Sequence, residues 1–542
     1  MARAIDEWKD IILSQLPYTS HCTENATCSP CKEISALEAQ IHESISNLQT
    51  LLQRHRNKKT ELNYTHSGIV RRLPPEVMSN IFEFRCAEAV WDHTETQFYY
   101  WVAFTPLRLG RVCRTWRQIA WNTPQLWTSL AILDWFFTRP NRVSLLVEWI
   151  SRSKTLPLSI YIKGHKPENY IDQGPPESHR PVLDALAESS ARWRHLFLRL
   201  PTEYLRYLFQ PAQDLSRVNT IQLDDYLSLS PFNADPKLFR GAIPSPRHVS
   251  LYSASLKVLN IDWSRLVQLK ANSLRIDDCL HIFRSAPLIE QCELEDVVCR
   301  RWYDSSPPPV FHENLKILSV QFIDSENDTF FSAITLPKLT YFSFSYRARQ
   351  GGNPDLHQFF QRSTPPLQKL ELCNMKLSYE EMEALVQAVP TVSHLHLTMP
   401  AELYDHDEKK TFRDPFFLRL AQSPSDILPC LHTLEFSFSY DDRDRIKIPW
   451  KCIPGVVAPL LADENNPNGS SRPLRTFKFN HIYYTMQDNV IPRSVRTRIL
   501  ALRQKGAEIY YRDDLIEESN VFKESVQPTN VRSSARLKKT TA

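Results

Sequence analysis

Along most of the chain the apolar residues repeat one short figure, apolar-x-x-apolar-x-apolar. It recurs as Trp193/Leu196/Leu198, Val218/Ile221/Leu223, Leu315/Leu318/Val320, Leu339/Phe342/Phe344, Leu367/Leu370/Leu372, Val392/Leu395/Leu397, Leu431/Leu434/Phe436 and Leu474/Phe477/Phe479. Looser copies sit at Val249/Leu251, Leu266/Leu269 and Ile289/Cys292/Leu294. The alternation that closes each figure predicts a strand buried on one side. From Leu315 to Val392 the successive starts are 24, 28 and 25 residues apart. Prolines at Pro287, Pro337, Pro365, Pro366 and Pro390 stand just ahead of the figure. A residue that precedes proline is pushed out of the helical region, so a helix is predicted to end before each strand. One such helix is legible outright over Ser378 to Val389. It has a capping serine, Glu380 and Glu381 in its first turn, and a stripe of Met382, Leu385, Val386 and Val389.

A strand-plus-helix unit of this size cannot bury its own apolar face, but stacked neighbours bury a continuous core. The period lies in the range of about 20 to 29 residues that marks leucine-rich repeats. The predicted fold class is therefore α/β: residues 140–510 form a leucine-rich-repeat-like solenoid, with parallel strands and helices on the convex side. A doubly wound sheet also alternates strands and helices, yet it rarely sustains one register over so many copies. Residues between the apolar positions then line the concave side, the usual binding surface of such solenoids. Tyr341, Ser343, Lys369, Glu371, His394, His396, Glu435 and Lys478 are the candidate target-binding residues there. Their mixed charge suits a protein or peptide, whereas a phosphate polymer asks for a Lys/Arg stripe. Uneven spacing between 400 and 475 predicts long loops with acidic tips at Asp405 to Glu408 and Asp441 to Asp444. Periodicity fades at the C-terminal end, and 511–542, closing on Arg536, Lys538 and Lys539, reads as a disordered basic tail.

The N-terminal part follows other rules. Ile34, Ile41, Leu48, His55 and Leu62 recur every seven residues, with Leu37, Ser44, Leu51 and Lys58 between them. This predicts a coiled-coil-like helix over 32–63 that offers self-association, weakened by its polar intrusions. Residues 1–31 read as an amphipathic helix followed by a loop holding Cys22, Cys28 and Cys31. Together with His21 these could donate to zinc, but His42 and His55 lie at the wrong spacing to complete a site. No metal and no cofactor is expected.

Residues 69–135 carry a sequence of short motifs in a fixed order. Leu73-Pro74-Pro75-Glu76-Val77 opens a helix with prolines where they preset φ without losing a needed hydrogen bond, and Val77, Ile81 and Phe82 are predicted to line one face. Pro106 to Ala120 reads as a second helix with Val112, Trp116, Ile119 and Ala120 on one side. Thr123-Pro124-Gln125-Leu126-Trp127 closes the segment. This order resembles the F-box, in particular the F-box-like proteins abundant in mushroom-forming fungi. The resemblance implies binding of a Skp-type adaptor, and through it a cullin, by Leu73, Pro74, Pro75, Val77, Ile81, Phe82, Leu107, Val112, Trp116 and Ile119. Residues 84–104, rich in aromatics, make the linker longer than a minimal F-box has.

Composition then narrows the function. Only 10 of 542 residues are glycine, and none falls in GxGxxG, GxxxxGK[ST] or GxSxG. Phosphate-cradling loops and nucleophile elbows need glycine for close backbone approach, so those enzyme classes recede. His394 and His396 share a strand face but make an incomplete metal site. A net charge of +4 argues against nucleic acid as main partner, and no stretch is long and apolar enough for a membrane span. The expectation is an intracellular, non-catalytic substrate receptor of a Skp-cullin-F-box ubiquitin ligase. The alternative is a leucine-rich-repeat scaffold or assembly protein that never engages an adaptor.

Overall fold

The structure is a computed structural model. It describes residues 29–66, 73–87, 104–137, 142–164, 174–212, 214–224, 237–239, 241–252, 256, 259–298, 308–323, 328–346, 353–375, 377–399, 413–422, 426–438, 451–457, 474–481, 492–504 and 506–513. The amphipathic segment before Ser29, Cys22 and Cys28, the acidic loop tips and the chain after Asp513 lie outside those residues, as does most of the 84–104 linker. The chain divides into two compact units, a helical one (Met1–Phe98 with Thr105–Thr123) and a second holding the sheet (Tyr99–Phe104 with Pro124–Ala542).

The helical unit holds α1 (Ser29–His66), α2 (Pro75–Ala87), α3 (Thr105–Leu109) and α4 (Arg114–Asn122). The segment from Pro106 to Ala120, expected as one helix, is two. Gly110 N–H still bonds to the Pro106 carbonyl at 3.0 Å, but Arg111 and Val112 tighten into a turn and Cys113 is extended, with its sulfur accepting from the Trp116 N–H. The break lets the Trp121 ring settle on the Gly110 backbone. A Cβ at Gly110 would lie 2.1 Å from that ring, so only glycine fits. Arg117 Nε ties the turn down by donating to the Gly110 carbonyl at 2.8 Å.

Among the described residues of the second unit, fourteen strands make one parallel sheet. They are β1 (Ser129–Leu133), β2 (Leu158–Lys163), β3 (Trp193–Arg199), β4 (Thr220–Asp224), β5 (His248–Tyr252), β6 (Gln268–Asn272), β7 (Gln291–Val297), β9 (Ile317–Phe322), β11 (Tyr341–Tyr346), β12 (Lys369–Cys373), β13 (His394–Met399), β14 (Thr433–Phe438), β15 (Thr476–His481) and β16 (Glu508–Asp513). Each pairs with the next in chain order, the topology of a solenoid; a doubly wound sheet reverses its order midway. Two short strands, β8 (Val310–Phe311) and β10 (Ile334–Thr335), pair apart from it. The sheet starts at β1, inside the segment assigned by sequence to the helical module, and β16 carries it past 510 into residues expected to be tail.

The apolar figure explains the register. In the copies from Trp193 to Phe436 all three positions are buried, and the residues between them, apart from Phe197 and Thr220, are not, so every strand turns the same side to the core. The helix expected at 378–389 spans Tyr379–Ala388, and its serine cap is a full capping box. Ser378 Oγ accepts from the Glu381 N–H at 3.2 Å, and Glu381 Oε2 accepts from the Ser378 N–H at 2.7 Å. Phenylalanines fill the middle of the core. The Phe331 ring lies with its centroid 6.0, 5.2, 5.9, 5.4 and 5.5 Å from those of Phe322, Phe330, Phe342, Phe344 and Phe359. Cys292 occupies an apolar slot, fully buried, and burial pushes its thiol pKa well up.

Candidate functional site

Two surfaces carry the residues singled out by sequence. The first is α2. Pro75 begins the helix and Glu76 sits in its first turn, where a carboxylate is favoured. Met78 and Phe82 point inward. Phe82 is 1% exposed, with its ring 4.9 Å from that of Trp116 on α4, and it is a core residue of the head, not a surface contact. This corrects the expectation that Val77, Ile81 and Phe82 share a face. Ser79 Oγ and Thr123 Oγ1 lie 2.9 Å apart, and Thr123 in turn donates to the Ile119 carbonyl at 2.7 Å, fixing α2 to the end of α4.

The outward side of α2 is apolar as well. Val77, Ile81 and Phe84, four and three residues apart, form one stripe and are 40%, 48% and 76% exposed. Phe84 escaped the sequence reading, although its i+3 spacing from Ile81 was visible. Pro74 and Pro75 are exposed ahead of the stripe, and Leu73 is half-buried. Val112 is exposed too, but in the turn before α4 and not on the helix, so it shares no helical face with Trp116 and Ile119. Those two are half-buried, as is Leu107 on α3. Burial raises the pKa of Cys86, on the same helix, to about 11, so it stays a thiol at neutral pH. The stripe thus offers apolar area, with exposed Arg85 beside it, which suits an apolar groove on a protein.

The second surface is the side of the sheet opposite the core. Register sets Tyr341, Lys369, His394, Thr433 and Thr476 in one row, with Ser343, Glu371, His396, Glu435 and Lys478 in the next. All eight residues expected on this face lie in these two rows. Tyr341 Oη donates to Glu371 Oε2 at 2.7 Å, Lys369 Nζ reaches Glu371 Oε1 at 2.7 Å, and the same ammonium stands 5.0 Å from the Tyr341 ring centre. Burial pushes the Glu371 carboxyl up, but hydrogen bonds from Lys369 and Tyr341 outweigh it and hold the pKa below the usual range. Burial, with the Glu371 carboxylate beside it, drives the Tyr341 phenol well above its ordinary value. His396 Nε2 lies 2.9 Å from Ser437 Oγ and 4.0 Å from Glu435 Oε1. Burial, then the charges of His432, Lys369 and Lys478, lowers the His394 pKa, so its imidazole is favoured neutral.

Further along the same face Lys270 lies 3.2 Å from Glu293 and 3.4 Å from Glu295, and Arg199 lies 3.2 Å from Asp224. Each of these pairs joins opposite signs, and among the described residues the face carries no long stripe of one sign. Among the described residues no three His, Cys, Asp or Glu side chains converge as metal ligands, and no helix is long and apolar enough to cross a membrane.

A protein-family model described as F-box-like matches residues 70–133. The chain thus carries an F-box-like domain made of α2, α3, α4, the turn Pro124–Trp127 and β1. No curated protein matches the chain.

Proposed function

We propose that this F-box-like domain docks a Skp-type adaptor, and through it a cullin, while the open face of the sheet holds a target protein for ubiquitin transfer. The observation that carries the reading is the exposed stripe Val77, Ile81 and Phe84 on the first helix of the matched segment. Apolar side chains so far exposed on a small helical head contribute nothing to its own folding and gain free energy only when a partner covers them. The sheet unit is read as a divergent leucine-rich-repeat solenoid of the kind that accompanies such heads in fungal F-box-like proteins. Its partly buried, charge-mixed rows around Tyr341, Glu371 and His396 are the target surface.

In this role the chain is intracellular and non-catalytic. It raises the effective concentration of the target near a charged conjugating enzyme and donates no reacting group. The test is titration of the full-length chain against a purified Skp-type adaptor, for wild type and Ile81→Asp. Binding by wild type that is lost in Ile81→Asp, with the sheet's circular dichroism unchanged, supports the reading. No binding by a folded wild-type chain refutes it, and the head is then a cap on a scaffold.

A further inference from the structure

Among the described residues, α1 is a long helix whose apolar side has no cover. It runs 38 residues, Ser29–His66, and among its described residues none is buried. Ile34, Leu37, Leu48, Leu51 and Leu62 are between 37% and 60% exposed, and Ile45 and Leu52 flank the same stripe. A helix standing alone in water is marginal, and most helical stability comes from packing an amphipathic side. The heptad spacing identifies the packing as helix on helix.

The charges identify the occupant and its direction. Glu33, Glu38 and Glu43, against a single Lys32, stand in the first half of the helix, and Arg54, Arg56, Lys58 and Lys59, against a single Glu61, in the second. Ile34, Ile41, Leu48, His55 and Leu62 take the a positions, and Leu37, Ser44, Leu51 and Lys58 the d positions. In that register a parallel pair would set Glu33 against Glu38 and Arg54 against Lys59, and would stack His55 on His55 and Lys58 on Lys58. Each juxtaposition joins like groups and disfavours the parallel pair. Reversing one strand removes all of them. Leu48 then meets Leu51 at the centre, Leu37 meets Leu62 toward each end, Ile45 flanks Leu52, and Glu38 faces Lys59. Ser44 meets His55, a pair that can hydrogen-bond, and Lys58 lays its methylene stem on Ile41 while its exposed ammonium keeps its ion pair with Glu61 at 2.7 Å.

We propose that α1 pairs antiparallel with α1 of a second copy of this chain, its centre at Leu48 and Leu51 and its direction set by two symmetric Glu38–Lys59 contacts. The proposal stands apart from adaptor docking, because it uses none of the residues of α2 or α4.

Sedimentation of the full-length chain tests it, with Leu48→Glu/Leu51→Glu, Glu38→Lys and Glu38→Lys/Lys59→Glu alongside. A wild-type dimer is expected, monomeric in the double leucine variant with the sheet's circular dichroism retained. Glu38→Lys is expected to raise the dimer Kd about tenfold, because two attractive pairs become repulsive, and the charge swap to restore it. Both effects should shrink in high salt. A wild-type chain still monomeric at about 100 µM, or a dimer indifferent to Leu48→Glu/Leu51→Glu, overturns the pairing. Tighter or unchanged association in Glu38→Lys overturns the antiparallel direction.

Discussion

Phe82 and Phe84 stand two residues apart on α2 and face opposite ways, and exchanging each in turn separates folding from docking. Phe84 is 76% exposed. A phenylalanine carries roughly 200 Å² of surface, so about 150 Å² of it meets water. At about 25 cal/mol per Å² a partner that covers half of that area gains about 2 kcal/mol, equivalent to roughly a 30-fold change in Kd. Phe84→Ser should therefore weaken adaptor binding by that factor and leave folding within about 0.5 kcal/mol of wild type. Phe82 is 1% exposed against Trp116. Phe82→Ala removes a fully buried ring and should destabilise the head by about 3 to 5 kcal/mol. The assay is amide hydrogen exchange over α2 and α4 in the full-length chain, run beside adaptor titration. Slow exchange with weakened binding is the expected signature of Phe84→Ser, and rapid exchange through both helices that of Phe82→Ala. Undiminished adaptor binding by Phe84→Ser would refute the argument that the exposed stripe is the docking surface.

Three further outcomes follow from the packing. Phe331→Ala opens the aromatic cluster beneath β9 and β11 and should lower stability by about 3 to 5 kcal/mol in urea unfolding, against less than about 1.5 for a cavity-sparing Phe331→Leu. Gly110→Ala drives a methyl group into the Trp121 ring and should cost about 1 to 3 kcal/mol, visible as faster exchange in α4 alone. Glu371 has a folded pKa below its ordinary value, so its stabilisation is complete above the unfolded pKa and is lost as pH falls through the folded one. Between about pH 5 and pH 3, wild type should lose more stability than Glu371→Gln; equal losses would remove the Lys369–Glu371–Tyr341 cluster from the account.

The sheet was largely legible in the sequence because its signal repeats. Leu315, Leu318 and Val320 make a weak pattern singly, and the same phase at Leu339, Leu367 and Val392 makes a strong one. The phase that buries those residues also turns Tyr341, Glu371 and His396 to the other side, so the two polar rows followed from it. The bonds among them did not, because cross-strand neighbours depend on pairing register. Strand β1 was missed although Trp127, Leu130 and Ile132 repeat the figure and all are buried; it was absorbed into the helical module that precedes it. The head was harder. Val77, Met78, Ile81, Phe82 and Phe84 give α2 apolar residues on two sides, and periodicity cannot tell which side meets α4. The break after Leu109 was hidden for a related reason: Gly110 marks it locally, but the Trp121 ring that takes the space beside that glycine is eleven residues away.

The strict neighbour-to-neighbour order of the sheet also bears on how the chain is made. Every strand from β1 to β16 finds its partner a few dozen residues away at most, so loop closure adds little entropy at each step and contact order stays low for a protein this long. A chain emerging N-terminus first can dock each new strand on the one just completed, without waiting for its C-terminal end. Ribosomes stalled within the sheet should therefore hold protease-resistant partial stacks that lengthen one repeat at a time.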